Sequence, residues 1–313
     1  MSPSNTASGV QLVQVSADRD GQRLDNFLSA RLKGLPRSAL YRIIRTGQVR
    51  INGGRCKPAT RLREGDEVRI PPARTHERGN VLVSDRVCRQ LRDAVLFENS
   101  ALLVLNKPSG MAVHAGSGLP WGVIDVVRQN HPGEFIELAH RLDRETSGCL
   151  VLARNGATLN HLTRLFREGR VRKFYLCLMN GAMTEPLIEV DAALKKVHAG
   201  GERQIEVSPE GKPALTRFRR LQTYPGITYS EAELLTGRTH QIRVHACHLG
   251  LSLAGDGKYA TRESVKQWEA KGLRRIFLHA QRVGFEAASG EHMEFNAPLP
   301  QDLRAVLDGL EGS

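Results

Sequence analysis

HRLDRETSGCLVLA, residues 140–153, sets a polar run directly against an apolar one. Cys149 to Ala153 is a short uninterrupted apolar stretch after a glycine, which reads as a buried strand rather than a helix. His140 to Gly148 then reads as a loop feeding that strand. Asp143 is accordingly not a helix N-cap, and a loop carried on a rigid strand is where functional side chains commonly sit. Asp143 has Arg141 two places before it and Arg144 directly after it. The plain reading of such a group is a surface ion pair of small energetic consequence, so any larger role has to be argued from the rest of the chain.

Leu102 to Leu105 reads as another buried strand, stopped by the turn residues of Asn106-Lys107-Pro108-Ser109-Gly110. Gly116-x-Gly118 lacks the remaining glycines of a dinucleotide fingerprint and the Lys of a phosphate-binding loop. Leu159, Leu162, Leu165 and Phe166 mark a helix that ends near Gly169. Lys173 to Leu178 then alternates as a strand, with Lys173 and Tyr175 on one face. A further strand from Ser230 to Leu235 leads into Thr236-Gly237-Arg238-Thr239-His240-Gln241-Ile242-Arg243-Val244-His245. Thr239 is the expected N-cap of the helix that follows, and Gly250 its C-terminal stop. His240 and His245 are five residues apart and so do not share a helix face as a metal-binding His pair does.

The chain has 313 residues, 40% of them apolar, enough for one large domain or two ordinary ones. Five scattered cysteines, an odd number with no C-x-x-C pair, argue against a disulfide framework and a zinc knuckle. With no signal-like start and no long apolar run, a soluble cytoplasmic protein without membrane association is expected. The net charge of +12 points to an anionic partner. Residues 21–72 hold twelve Lys or Arg against four Asp or Glu, so eight of the twelve net positive charges sit in one-sixth of the chain.

Within that segment Leu24, Phe27, Leu28 and Leu32 recur at helical spacing. After Pro36 a second helix carries Leu40, Ile43 and Ile44 on one side and Arg37, Tyr41 and Arg45 on another. Arg42 adds to its charge. Short alternating strands around Val49 and Ile51, and around Val68 and Ile70, close the module. The pattern QRLDNFL…GLPRSALYRIIRTGQVRINGG…LREGDEVRI resembles the S4 domain, a small RNA-binding fold, over about 50 residues. The expected layout is an N-terminal tail (1–20), this S4-like domain (21–72), a polar linker (73–90) and a larger catalytic domain (91–313).

LNKPSG (105–110), HRLDRETSG (140–148) and TGRTHQIRVH (236–245), in this order behind an S4-like module, resemble the RluA family of pseudouridine synthases. The resemblance runs from GQRLDNFL (21–28) to RIFLHA (275–280), and HRLDRETSG is its most specific signal. At Ala254-Gly255-Asp256-Gly257-Lys258-Tyr259-Ala260 the chain departs from the family, where a glycine commonly follows the tyrosine; a small loop adjustment is expected there.

The resemblance implies an α+β catalytic domain on a mixed, largely antiparallel sheet. It implies isomerisation of specific uridines in 23S ribosomal RNA, or its large-subunit precursor, with no metal, nucleotide or redox cofactor, by an enzyme expected to be monomeric. It makes Asp143 the catalytic aspartate, with attack at C1′, attack at C6 of uracil and proton removal from C2′ all open. Arg243 is implied to pair with Asp143, orienting it and keeping it deprotonated. Because an enzyme acting at a glycosidic bond in structured RNA must take the base out of its stack, Arg141 is expected to fill the space of the extruded nucleotide, and Tyr175 to stack on the uracil and assist removal of the C5 proton. His140 shapes the loop. His140, Lys173 and Arg238, with Arg37, Arg42 and Arg45 of the basic module, are the expected RNA contacts. The competing readings are a sister synthase of the same family with other ribosomal RNA targets, and a non-catalytic RNA-binding or ribosome-assembly factor.

Overall fold

The structure is a computed structural model that describes residues 9–32, 35, 37–72, 83–116, 119–199 and 202–312. It divides into two compact units with a boundary at Val83 and Ser84, the short stretch 155–160 grouping with the first.

The first unit runs β1 (Gln11–Gln14), a 3-10 turn (Ala17–Arg19), α1 (Leu24–Arg31), α2 (Arg37–Arg45), β2 (Arg50–Ile51), β3 (Gly54–Arg55) and β4 (Glu67–Ile70). Its strands form an antiparallel sheet in the order β1-β4-β2-β3. Leu24 and Leu28 of α1 and Leu40 and Ile44 of α2 are buried together with Val49, Leu62, Val68 and Ile70, so the apolar stripes legible in the sequence do form the core. Two boundaries need correction. Residues 11–15 are not tail: β1 pairs with β4 from Gln11↔Ile70 to Gln14↔Glu67, and Val15 is buried. The strand escapes notice in the sequence because it is short and leaves Leu12 exposed. The end of the expected linker is a helix, α3 (Asp85–Asp93), which buries Cys88 and Leu91 one turn apart. Residues 73–82 of that linker lie outside the described residues.

The second unit continues with β5 (Val95–Glu98), β6 (Leu102–Lys107), α4 (Val123–Asn130), β7 (Glu137–Leu138), β8 (Ser147–Ala153), α5 (Gly156–Glu168) and β9 (Arg172–Asn180). Next come β10 (Leu187–Asp191), the hairpin β11 (Leu194–Ala199) and β12 (Glu202–Val207), β13 (Leu215–Tyr224) and β14 (Ile227–Leu234). It ends with α6 (Gln241–His248), α7 (Arg262–Ala270), β15 (Leu278–Glu286), β16 (His292–Asn296) and α8 (Gln301–Glu311). A ten-stranded sheet has the order β10-β13-β14-β9-β15-β8-β6-β5, with β16 beside β15 and β7 beside β8. Only β15 and β8 pair in parallel among the described residues, so the sheet is mixed and largely antiparallel, as expected. Every residue of β8 is buried, which is why its sequence reads as a continuous apolar run. On another part of the sheet Trp268 of α7 and Leu303 and Val306 of α8 cluster with Leu178 and Phe277. No helix of the described residues is long and apolar enough to cross a membrane.

Candidate active site

The loop before β8 is held from beneath by Lys107, the last residue of β6, which faces Gly148 in the strand register. The Lys107 side chain is fully buried, and its Nζ donates to the carbonyls of Pro108 and Met111, both at 2.8 Å, and of Arg144 at 3.1 Å. Burial lowers its pKa to about 7, against the opposing charges of Glu145 and Asp143. The backbone amide of Gly110 donates to the Arg144 carbonyl, Arg144 Nε returns a bond to Gly110 O, and Ser109 Oγ donates to Glu145 O. Four of these bonds join the LNKPSG turn to the HRLDRETSG loop. That turn is therefore an anchor, a role its composition alone did not reveal.

Gly148 closes the loop at φ +112°, and a Cβ built there would lie 2.2 Å from the Ala280 carbonyl oxygen of the parallel neighbour β15. No other residue fits such a contact. Next to it Ser147 Oγ accepts from Arg275 Nη1 and donates to His279 Nδ1, while His279 Nε2 donates to Ala297 O. The His279 ring is buried and neutral, its pKa lowered to about 4 by burial. At the loop's other end His140 stacks on Phe166 with ring centroids 4.8 Å apart, and its Nε2 accepts the Val151 amide at 3.0 Å. Burial, with Lys173 adding, lowers its pKa to about 4. His140 thus supports the loop as a neutral ring.

Above these anchors opens a cleft of about 630 Å³, lined by the 139–143 loop with Thr146, by α5 and the residues after it, by Lys173 and Tyr175 of β9, and by residues 234–243. That volume lies within the range of about 300–1,000 Å³ usual for ligand sites. The strand order brings the parts together: β8 and β9 flank β15, and Tyr175 lies opposite Ala232 of β14. Asp143 keeps 23% of its side chain exposed to the cleft. Tyr175 is buried, and burial, reinforced by the charge of Asp143, raises its phenol well above the ordinary value. It therefore enters as a neutral phenol, which disfavours its service as a base and leaves stacking as its natural contribution. Lys173 Nζ donates to Thr236 O at 3.3 Å, and burial, with Arg238 adding, lowers its pKa to about 8. Arg141 and Arg238 are exposed at the rim.

The expected pairing of Arg243 with Asp143 is not what the structure shows. Arg243 binds Asp256 at two points, Nε to Oδ2 at 2.8 Å and Nη2 to Oδ1 at 2.6 Å, and its guanidinium lies 4.9 Å from the Tyr259 ring centroid. Burial opposes its charge, but Asp256, followed by the charges of Asp143 and Tyr259, raises its pKa above the ordinary value. Asp143 therefore feels Arg243 electrostatically without direct contact. The group within ion-pair reach of Asp143 is His240, with Nε2 3.9 Å from Oδ2. His240, not Thr239, caps α6, and it does so in the left-handed region at φ 55°. For a non-glycine residue that conformation costs on the order of 1–3 kcal/mol and marks functional sites. Gln241, buried behind it, accepts from Thr236 Oγ1 and the Arg238 amide, so the TGRTHQ turn is fixed from within. His245 is committed to Thr216 Oγ1 and Ala192 O.

The family model for RNA pseudouridylate synthase matches residues 101–248, and that for the S4 domain matches residues 22–68. Ribosomal large subunit pseudouridine synthase C of Yersinia pestis is 48% identical over 306 residues, covering 96% of this chain and 96% of that protein. The chain belongs to the RNA pseudouridylate synthase family. The protein of the same name from Escherichia coli (strain K12) is 44% identical over 311 residues, 97% of this chain and 98% of that one. Among solved structures, human RNA pseudouridylate synthase domain containing 1 aligns with a TM-score of 0.55 at 26% identity, covering 70% of this chain and 95% of that one.

Of the residues expected in the site, the structure gathers Asp143, Tyr175, Arg243, Arg141, His140, Lys173 and Arg238 around one cleft. Arg42 and Arg45 are exposed on α2 of the first unit, and the Arg37 side chain lies outside the described residues. Tyr41, grouped with them from the sequence, turns its hydroxyl to Asp25 at 2.9 Å and packs against the core of that unit. Ala260, where the family commonly has glycine, keeps a negative φ and donates its amide to Asp256 O, so the departure is accommodated without strain. Asp256, the arginine's partner, carries almost no signal in the sequence. Its only sequence signal was an acid within a glycine turn 13 residues downstream of Arg243.

Proposed function

We propose that this pseudouridine synthase converts specific uridines of large-subunit ribosomal RNA to pseudouridine, with Asp143 as the reactive carboxylate. The observation that carries this reading is the placement of a partly exposed Asp143 and a buried Tyr175 on the same cleft, bordered by Arg141, Lys173 and Arg238. The naming of close relatives after the large ribosomal subunit supports the substrate class.

The reaction breaks the N1–C1′ bond of a uridine and joins C5 to C1′; the C5 proton is lost and N1 gains one, so nothing else is consumed. As the bond breaks, positive character grows at C1′ and negative charge on the uracil. A carboxylate near the sugar and cationic groups near the base stabilise both. Attack by Asp143 at C1′ or at C6, or removal of the C2′ proton, each needs it ionised. A base inside structured RNA must leave its stack to enter a cleft of this size; Arg141, exposed at the rim, is placed to take the space it vacates. Tyr175 offers its ring to the uracil. The first unit, with Arg42 and Arg45 exposed, is the expected phosphate grip. As a monomeric enzyme of the cytoplasm it would meet ribosomal RNA during subunit assembly.

The test is to map pseudouridines in large-subunit ribosomal RNA of a strain lacking this chain, complemented either with the chain or with Asp143→Asn. Sites restored only by the unaltered chain are expected. Sites absent from large-subunit RNA in every strain would contradict the substrate class.

A further inference from the structure

Asp143 faces His240 rather than an arginine, and the environment of His240 is built in a way that its helix does not require. His240 stands at the N-cap of α6 in the left-handed region, φ 55° and ψ 21°, with no side-chain capping bond. Its ring is turned to two other groups. Nδ1 lies 2.8 Å from Tyr259 Oη, the rings meeting edge to face at 5.6 Å, and Nε2 lies 3.9 Å from Asp143 Oδ2. Tyr259 Oη also accepts the Ile205 amide at 3.3 Å. With that amide as its donor, Tyr259 Oη is free to give its own proton to Nδ1. The imidazole proton then resides on Nε2, the side that faces Asp143.

Resting on the functional reading above, we propose that His240, set by Tyr259, is a positioning residue that fixes the Asp143 carboxylate through an Nε2–H bond as RNA fills the cleft. A closure of about 1 Å brings 3.9 Å into hydrogen-bond range, and such bonds are commonly long before substrate arrives. The arrangement suits the chemistry. A two-point arginine on Asp143 would occupy both oxygens, whereas a neutral imidazole orients the group through one and leaves the other for the nucleotide. Arg243 is kept from the first role by Asp256.

Around His240 stand Asp143 from the loop before β8, Arg243 from α6 itself, and Asp256 and Lys258 from the segment after α6. Burial lowers the His240 pKa, and the charge of Asp143 opposes that shift. At neutral pH the ring is neutral. Acid turns the single hydrogen bond into an ion pair that holds Asp143 back from the substrate.

The experiment is single-turnover pseudouridine formation by the full-length protein on transcribed large-subunit ribosomal RNA, from about pH 5 to 8. His240→Gly removes the ring and suits the left-handed backbone, so folding is retained. His240→Gln supplies a neutral donor that does not titrate. His240→Gly is expected to lower the maximal rate roughly 100-fold, the scale of a misplaced reacting group, with half-saturating RNA unchanged. His240→Gln should recover to within about tenfold of the unaltered chain and lose the acid limb that belongs to His240. Tyr259→Phe should reduce the rate about tenfold and move that limb. Equal loss in His240→Gly and His240→Gln, a loss confined to RNA affinity, or a Tyr259→Phe profile that overlays the unaltered one would overturn the proposal. An unaltered chain that forms no pseudouridine overturns the functional reading and the proposal with it; an active chain beside unaffected variants overturns the proposal alone.

Discussion

Arg-Leu-Asp occurs in each unit, as residues 23–25 and as residues 141–143, and in both copies the leucine is buried. The aspartates fare differently. Asp25 sits in the first turn of α1, where Arg23 folds back onto it with Nε at 3.0 Å and Nη2 at 2.7 Å, and Tyr41 donates a third bond. Its carboxyl is 2% exposed, and Arg23 beside it holds the pKa below the usual carboxylate value. Asp143 sits in a loop anchored by Lys107, Arg141 points to the rim, and the nearby two-point arginine is taken by Asp256. The same three residues give a structural carboxylate where a helix turns arginine onto acid, and an available one where a loop separates them.

The strongest test of that contrast is Arg243→Ala. Asp256 is fully buried and would lose both bonds, so a stability loss of roughly 3–5 kcal/mol is expected by urea unfolding. Turnover should fall by roughly 100-fold or more through disorder of the site. Normal rates would remove Arg243 from the account. A second test concerns the anchor behind Asp143. His279 has a folded pKa of about 4 against an ordinary 6.5, so between those values the unfolded chain binds more protons. Stability is therefore full above about pH 6.5 and is lost as pH falls towards 4, by up to about 3 kcal/mol, with His140 acting in the same direction. His279→Gln should flatten the pH dependence of unfolding, and an unchanged profile would contradict the assignment.

Asp25→Asn probes the other copy. It should cost about 2 kcal/mol, moderated because Arg23 remains 43% exposed to water, and leave the turnover rate intact. A catalytic defect there would erase the distinction between the copies. The smallest effect is expected from Arg42→Glu with Arg45→Glu. Loss of two phosphate contacts should reduce the slope of log affinity against log salt by roughly 1–2 units, with the rate at saturating RNA preserved.

Much of this was legible in the sequence where the signal is local. The apolar stripes of α1 and α2, the strand of β8 and the helix ending at Gly169 follow from side-chain periodicity and glycine stops. Asp143 and Tyr175 were singled out by motif and fall on one cleft. What escaped depends on long-range contact. Lys107 reads as a turn residue until its ammonium is seen on three carbonyls, one of them 37 residues away. The sequence resemblance gives Arg243 the partner Asp143, whereas folding delivers Asp256, because spacing does not say which acid the fold brings to it. His240 displaced Thr239 as the cap because Tyr259 and Asp143, both distant in sequence, hold its ring.

The most direct test of the central claim uses RNA tritiated at C5 of uridine, incubated in buffer without cosubstrate with the unaltered chain, Asp143→Asn or Asp25→Asn. Joining C5 to C1′ expels that hydrogen, so the account predicts release by the unaltered chain and by Asp25→Asn, and none above background by Asp143→Asn, with RNA affinity retained in all three. Label released by Asp143→Asn at the rate of the unaltered chain would contradict it.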